Sequence, residues 1–270
     1  MPAILDVLIP TYRRGVALAV TLTSLIGQTE PSFRVVVSDQ GPPDEGSRAP
    51  TVDAVVRVLE ATGRSVERHE HRPRRGMAEH RDFLLRQAQA PYALFLDDDV
   101  VLEPNLVTRL LQAIRREGCG FVGSALVGLS HLGDERPDEE AIEFWEGPVR
   151  PERVKPGDAA WNRHRLHNAA NLAHLRARRE TDHDRVYKIA WVGGCVLYDV
   201  HRLRDAGGFD FWPELPETHA GEDVMAQLRV MEQSGGCGLF PSGAYHLELP
   251  TTLPDRTVDA PWALRERHLA

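Results

Sequence analysis

Through the first half of the chain, short apolar runs alternate with stretches of helical spacing. Residues 5–9, Leu-Asp-Val-Leu-Ile, read as a first strand that stops at Pro10-Thr11, and residues 16–26 follow with the spacing of an amphipathic helix. Residues 33–37 form a second strand rich in β-branched residues, ending in the loop formers Ser38-Asp39-Gln40-Gly41-Pro42-Pro43. A helix is predicted over 51–61, and a third strand over 65–71 despite its charge. Gly76 then opens a helix over 77–88 that carries Phe83, Leu84 and Leu85 toward a core. Pro91 stops it, and residues 92–96, Tyr-Ala-Leu-Phe-Leu, make the next strand. The alternation predicts an α/β fold: a mostly parallel, Rossmann-like central sheet flanked by helices. In such open sheets ligands bind beyond the carboxyl ends of the strands, so the loops after Ile9, Val37 and Leu96 are expected to converge on one site.

The second half is less regular. After an apolar run at 121–127, residues 131–156 are acidic and Pro-rich without clean periodicity, which suggests an excursion or lid. Residues 161–179 have helical composition with many His and Arg residues, and 189–198 is strand-like but broken by Gly193-Gly194. A shaped loop is expected at 211–219 around Trp212, Pro213 and Pro216. The segment 255–270, with Trp262 and Leu264, either folds back on the domain or mediates self-association into a homo-oligomer.

Composition narrows the class. Hydrophobic residues make up 42% and charged residues 27%, so a globular core is expected rather than disorder. The formal net charge of -8 argues against a chain that coats nucleic acid, because neutralising phosphates needs a basic excess. No run approaches the ~18 apolar residues of a membrane span, and the first residues lack a basic, apolar leader. The expectation is a soluble, cytoplasmic chain, at most peripheral at a membrane. Cys119, Cys195 and Cys237 show no paired spacing and read as reduced structural thiols.

Two acidic clusters are candidates for chemistry. Asp97-Asp98-Asp99 ends the strand at 92–96, and adjacent carboxylates repel unless something compensates them, so the triplet reads either as a divalent-cation site or as a helix cap before Pro104. Further on, Gly207-Gly208-Phe209-Asp210 precedes Gly221-Glu222-Asp223 at a helix start. Taken singly, these are a helix C-cap and first-turn acids favoured by the helix dipole.

In their order, Pro10-Thr11-Tyr12-Arg13, Asp39, the helix of Gly76 and Arg81, Asp97-Asp98-Asp99, Gly207-Gly208-Phe209-Asp210 and Glu222-Asp223 resemble the family 2 glycosyltransferases. These are GT-A enzymes, and the resemblance runs from about residue 5 to 249, with no named motif between 130 and 185. It implies a nucleotide-sugar-binding half over 1–127 and an acceptor-binding, catalytic half over 128–270, within one GT-A domain with an acceptor-side subdomain. It implies that Pro10, Thr11, Tyr12, Arg13 and Asp39 hold the base and ribose of a nucleotide-sugar, with Gly76, Arg81, Asp97 and Asp98 also on the nucleotide side. The usual Ala-Arg-Asn around the arginine is written here His80-Arg81-Asp82.

The resemblance further implies a metal site, Mn2+ or Mg2+, at Asp97 and Asp99, with His246 completing it. A diphosphate leaving group concentrates negative charge that such a cation neutralises. Asp223 is implied as the base of an inverting transfer to a hydroxyl acceptor, ionised at neutral pH without a large shift. Glu222 is its neighbour on the acceptor side. Trp191, Gly193 and Gly194 line the donor sugar and acceptor, Trp191 offering a flat face to a sugar or else serving as core. The acceptor is a glycan, a lipid-linked or a small hydroxyl compound. His164, His167, His174 and His183 form no compact triad with a carboxylate; His167 and His174, seven apart, share a helix face in this reading. A retaining transferase, a nucleotidyltransferase and a non-catalytic nucleotide- or carbohydrate-binding module remain as alternatives.

Overall fold

The computed structural model describes residues 3–30, 32–179, 183–253 and 255–269. Its first half follows the sequence pattern closely: β1 (Leu5–Thr11), α1 (Gly15–Ile26), β2 (Phe33–Asp39), α2 (Pro50–Ala61), β3 (Ser65–Glu70), α3 (Met77–Gln87) and β4 (Tyr92–Leu96). There follow β5 (Val100–Leu102), α4 (Leu106–Glu117), β6 (Phe121–Gly123), β7 (Leu126–Val127), α5 (Asn171–Arg178), β8 (Arg185–Tyr187) and β9 (Cys195–Asp199). The chain closes with α6 (Val200–Asp205), α7 (Glu222–Ser234), β10 (Gly236–Phe240), β11 (Ala244–His246) and α8 (Ala260–His268).

The main sheet has the order β3-β2-β1-β4-β9-β6-β10-β8, with β9 antiparallel to both of its neighbours and β8 antiparallel at the edge. Strand alternation sends Leu5, Val7 and Ile9 into one apolar layer and Leu8 into the other; Val35 and Val37 likewise oppose Val36. Helices α1, α2 and α4 supply the first layer and α3, α5, α6, α7 and α8 the second. With both faces covered, the inner strands read as continuous apolar runs rather than alternating ones. The charge of β3 is explained by its place at the sheet edge, where side chains such as Glu67 and Glu70 reach water.

Several expectations need correction. The apolar run at 189–198 is strand only over Cys195–Asp199, because Gly194, at φ 75, turns the chain into it. Residues 161–179 are not one helix: a 3₁₀ turn over Ala159–His167 is separated from α5, with Ala169 at φ 47 in the break, so His167 and His174 share no helix face. The aspartate triplet is followed by strand β5 and caps no helix. Residues 131–156 run over the surface in short turns, pinned by the backbone bonds Lys188 N–H to Glu143 C=O (2.8 Å) and Glu152 N–H to Met231 C=O (3.1 Å). The C-terminal segment folds back on the domain, Leu264 entering the core that α7 also fills; its last residue, Ala270, lies outside the described residues.

A small second sheet, β5-β11-β7, sits at the end of β4. Antiparallel pairing of β11 with β5 sets His246 opposite Val100, and the Leu247 N–H donates to the Asp99 carbonyl (2.8 Å). That register, not proximity in sequence, brings His246 to the aspartates.

Candidate active site

A cleft of about 600 Å³ opens at the carboxyl edge of β1, β2 and β4, a size suited to a small-molecule ligand. The three predicted loops do converge: Thr11 and Tyr12, Gln40, and Asp97-Asp98-Asp99 all line it. Antiparallel β4 and β9 pair Leu96 with Cys195, so the Asp97 N–H donates to the Gly194 carbonyl (2.9 Å). A side chain at Gly194 would strike Leu126 at 2.4 Å in a backbone conformation that disfavours one.

Two arginines compensate the aspartates. Arg14 Nη1 donates to Asp99 Oδ2 (2.6 Å) and Asp98 Oδ1 (3.3 Å), and its other nitrogen donates to the Pro250 carbonyl. The strained turn at Arg13, φ 57, ends β1 and leads into this contact. Arg81, 5% exposed, donates through Nη2 to Asp97 Oδ1 (2.9 Å) and through Nε to Glu222 Oε1 (2.8 Å). It thereby ties the two acidic clusters together, and burial opposed by its carboxylate partners leaves its pKa raised.

The three aspartates are unequal. Asp98 is buried and accepts from Thr11 Oγ1 (2.6 Å); burial pushes its carboxyl up to about 7 against the pull of Thr11 and Arg14. Burial would also raise Asp99, but His246 and Arg14 outweigh it and hold that carboxyl below its usual range. Asp97 is the most accessible of the triplet, its side chain 35% exposed. His246 Nε2 lies 3.4 Å from Asp99 Oδ2, while its Nδ1 accepts from the Glu248 N–H (3.0 Å). An Nδ1 that accepts leaves the proton of the neutral ring on Nε2, facing Asp99. In this arrangement His246 faces Asp99 through Nε2. Among the described residues, no group of three or more His, Cys, Asp or Glu side chains is arranged to hold a metal. The hard oxygens of Asp97 and Asp99 nevertheless suit Mg2+ or Mn2+, which commonly take one or two carboxylates and complete their shell with phosphate and water.

Across the cleft, Gly221 is the N-cap of α7, in a left-handed conformation, and Glu222 and Asp223 form its first turn. Asp223 Oδ1 accepts from the Val224 N–H (2.9 Å), and Oδ2 lies 3.8 Å from where a Gly193 side chain would begin, next to the Trp191 ring. Burial and the neighbouring Glu222 push the Asp223 carboxyl up, so the ordinary carboxylate expected from sequence is revised. Trp191 packs against the core and also lines the cleft.

Other expected residues sit elsewhere. Asp39 is fully buried and spends both oxygens on loop backbone, accepting from the Gly41 N–H (2.8 Å) and the Ser47 N–H (2.7 Å); the residue it delivers to the cleft is Gln40. Arg13 pairs with Glu45 at 3.3 Å on the surface. Gly76 is a packing residue: a side chain there would lie 2.5 Å from the His219 ring, whose Nε2 accepts the Ala78 N–H (3.1 Å) at the start of α3. Residues 211–219 pack through Phe211, Trp212 and Leu215 against the core, away from the cleft lining.

Sequence reasoning overlooked Arg14, Gln40, Arg256 and Asp259 as cleft residues; of Arg72, Arg74 and Arg75, which the sequence offers either to phosphates or to a solvated loop, Arg74 lines the cleft. Arg14 and Gln40 adjoin motif residues and were within reach of a local reading. Asp259 reaches the cleft only because residues 258–260 pair with Ala220, and nothing near it in sequence signals that.

The profile of Glycosyl transferase family 2 matches residues 6–180. No curated protein matches the chain in sequence. Among solved structures, S. aureus TarS is similar at 18% identity and a TM-score of 0.56, over 91% of this chain and 36% of that one. TarS 1–349 in complex with UDP-GlcNAc is similar at 16% identity and a TM-score of 0.58, over 94% of this chain and 60% of that one. The fold is thus GT-A, and the chain spans only part of the length of the structures it matches.

Proposed function

This chain belongs to glycosyl transferase family 2, and from that premise we propose that it moves a sugar from a nucleoside-diphosphate donor to a hydroxyl acceptor, with inversion and with a divalent cation. The observation that carries the reading is the division of one cleft: a raised, half-buried carboxylate, Asp223, on one wall and the arginine-compensated aspartates on the other. Thr11, Tyr12 and Gln40 form the nucleoside end. Arg14, Arg74 and Arg256 line the same cleft and receive the diphosphate's charge. Asp97 and Asp99 would hold Mn2+ or Mg2+, which when bound neutralises that charge as it develops.

In this reading the acceptor hydroxyl enters beside Trp191 and Gly193 and attacks the anomeric carbon. Its proton passes to Asp223, and the electron pair of the broken sugar-oxygen bond leaves with the diphosphate. A carboxylate whose pKa is raised toward the working pH is a better proton acceptor in the transition state than an ordinary one. Burial of Glu222 on Arg81 keeps the second acid of the pair fixed and out of the proton transfer.

Turnover of Asp223→Asn should fall about a hundred- to ten-thousandfold, while the thermal shift produced by a UDP-, GDP- or dTDP-sugar should persist and grow on adding Mn2+. Loss of the donor-induced shift in parallel with turnover would remove Asp223 from the role of base.

A further inference from the structure

A row of rings leads from the proposed base to the protein surface. Trp191 lies parallel to His164, with centroids 5.9 Å apart at 9°; His164 is 5.9 Å from Trp161, and Trp161 meets Trp262 edge to face at 6.4 Å. These rings come from three separate parts of the chain. Trp191 precedes β9, His164 and Trp161 belong to the 3₁₀ turn over Ala159–His167, and Trp262 is in the first turn of α8. The start of α8 is fixed at the mouth of the cleft: the Ala220 N–H donates to the Val258 carbonyl (2.9 Å) and the Ala260 N–H to the Ala220 carbonyl (2.8 Å), immediately before the Glu222-Asp223 pair. Asp259 lines the cleft, and three residues later Trp262 stands 48% exposed.

Hydrogen-bonding groups accompany the rings. Asn168 and Asp259 also line the cleft, and the indole N–H of Trp191 is buried with no hydrogen-bond partner among the described residues. A lone small acceptor would use Trp191 alone. An acyl chain would leave the buried indole N–H of Trp191 without a partner, at a cost in desolvation. A pyranose chain matches both features, since each ring has an apolar C–H face to lay on an aromatic plate and hydroxyls around its edge.

Resting on the reading of Asp223 as the base, we propose that the acceptor is an oligosaccharide whose terminal residue lies at Trp191 and whose following residues run over His164 and Trp161 to Trp262. Trp262 is then a specificity residue for chain length that takes no part in the chemistry.

The full chain, without donor, is titrated calorimetrically with cellohexaose, chitohexaose, mannohexaose and maltohexaose and with the corresponding monosaccharides. At least one hexasaccharide should bind about tenfold or more tightly than its monosaccharide. Trp262→Ala should lose about that factor while leaving the monosaccharide and the donor-induced thermal shift unchanged. Asp223→Asn should bind every sugar as the parent chain does. The proposal is overturned if no hexasaccharide outbinds its monosaccharide, or if Trp262→Ala binds all of them as tightly as the parent. A failure confined to these titrations, with Asp223→Asn inactive and still binding donor, removes the ring track and leaves the transferase reading standing. Full turnover by Asp223→Asn alongside a weakened hexasaccharide does the reverse.

Discussion

Replacing Arg81 by Met tests whether the two acidic clusters are held together by one buried cation. The Arg81 guanidinium bridges Glu222, whose side chain is 6% exposed, and Asp97, whose side chain is 35% exposed. Met preserves the apolar stem against the Phe95 ring, over which the guanidinium carbon lies at 5.9 Å. What it removes is the compensation of Glu222, so the cost is that of breaking a buried ion pair, about 3–5 kcal/mol. The more exposed Asp97 adds little, because water and salt screen it. Urea unfolding followed by tryptophan fluorescence reads the loss as a lower midpoint at unchanged slope. Arg81→Met combined with Glu222→Gln no longer buries an unpaired charge and should recover about 1–3 kcal/mol of that loss. If Arg81→Met lies within about 1 kcal/mol of the parent, or if the two substitutions add, the bridge contributes nothing and the reasoning fails.

Gly76→Ala should cost about 2–4 kcal/mol, from the clash with His219 and from the backbone at φ 100, and combining it with His219→Ala should be less than additive; full additivity in urea midpoints would show that the two residues do not meet. Stability should fall on acidification because burial pushes His80 down to about 3, with Ser38 Oγ 2.8 Å from its Nε2, whereas in the unfolded chain it titrates near about 6.5. Between those values the unfolded chain binds a proton that the folded chain refuses, so stability is present above pH ~6.5 and is lost at about 1.4 kcal/mol per unit below it. From pH 7 to pH 5 the parent should therefore lose about 2 kcal/mol more than His80→Gln in urea titrations. Parallel curves for the two proteins would show that His80 is not held neutral. His167, which burial pushes down to about 4, keeps a residual slope of the same sign in the variant.

The regular first half was legible because its strands are buried on both faces and its helices on one, which writes apolar runs and amphipathic stretches into the local sequence. Helices α1 and α3 and strands β1 to β4 fell within two residues of their expected ends. The second half resisted because its structure is long-range. β6 and β7 lie close together in sequence yet enter different sheets, and the turns at residues 131–156 are held by partners such as Met231 and Lys188. Glycine marked where Cys195–Asp199 begins, but periodicity over 189–198 could not show it.

Within the site, the sequence by itself determined which residue types stand at the strand tips: the aspartates after β4, the Glu222-Asp223 pair opening α7, and the glycines before β9. Each is dictated by a local change from buried strand to solvent or by a helix start. What only the tertiary structure decided is how those charges are compensated. Whether the triplet needs an outside cation or has one supplied by the chain depends on Arg14 and Arg81, and on which carboxylates burial leaves reachable. The same holds for His246, set beside Asp99 by strand register, and for Asp259, carried to the cleft by the pairing of residues 258–260 with Ala220. Electrostatic compensation and register are sums over distant parts of the chain, and no local window of sequence contains them.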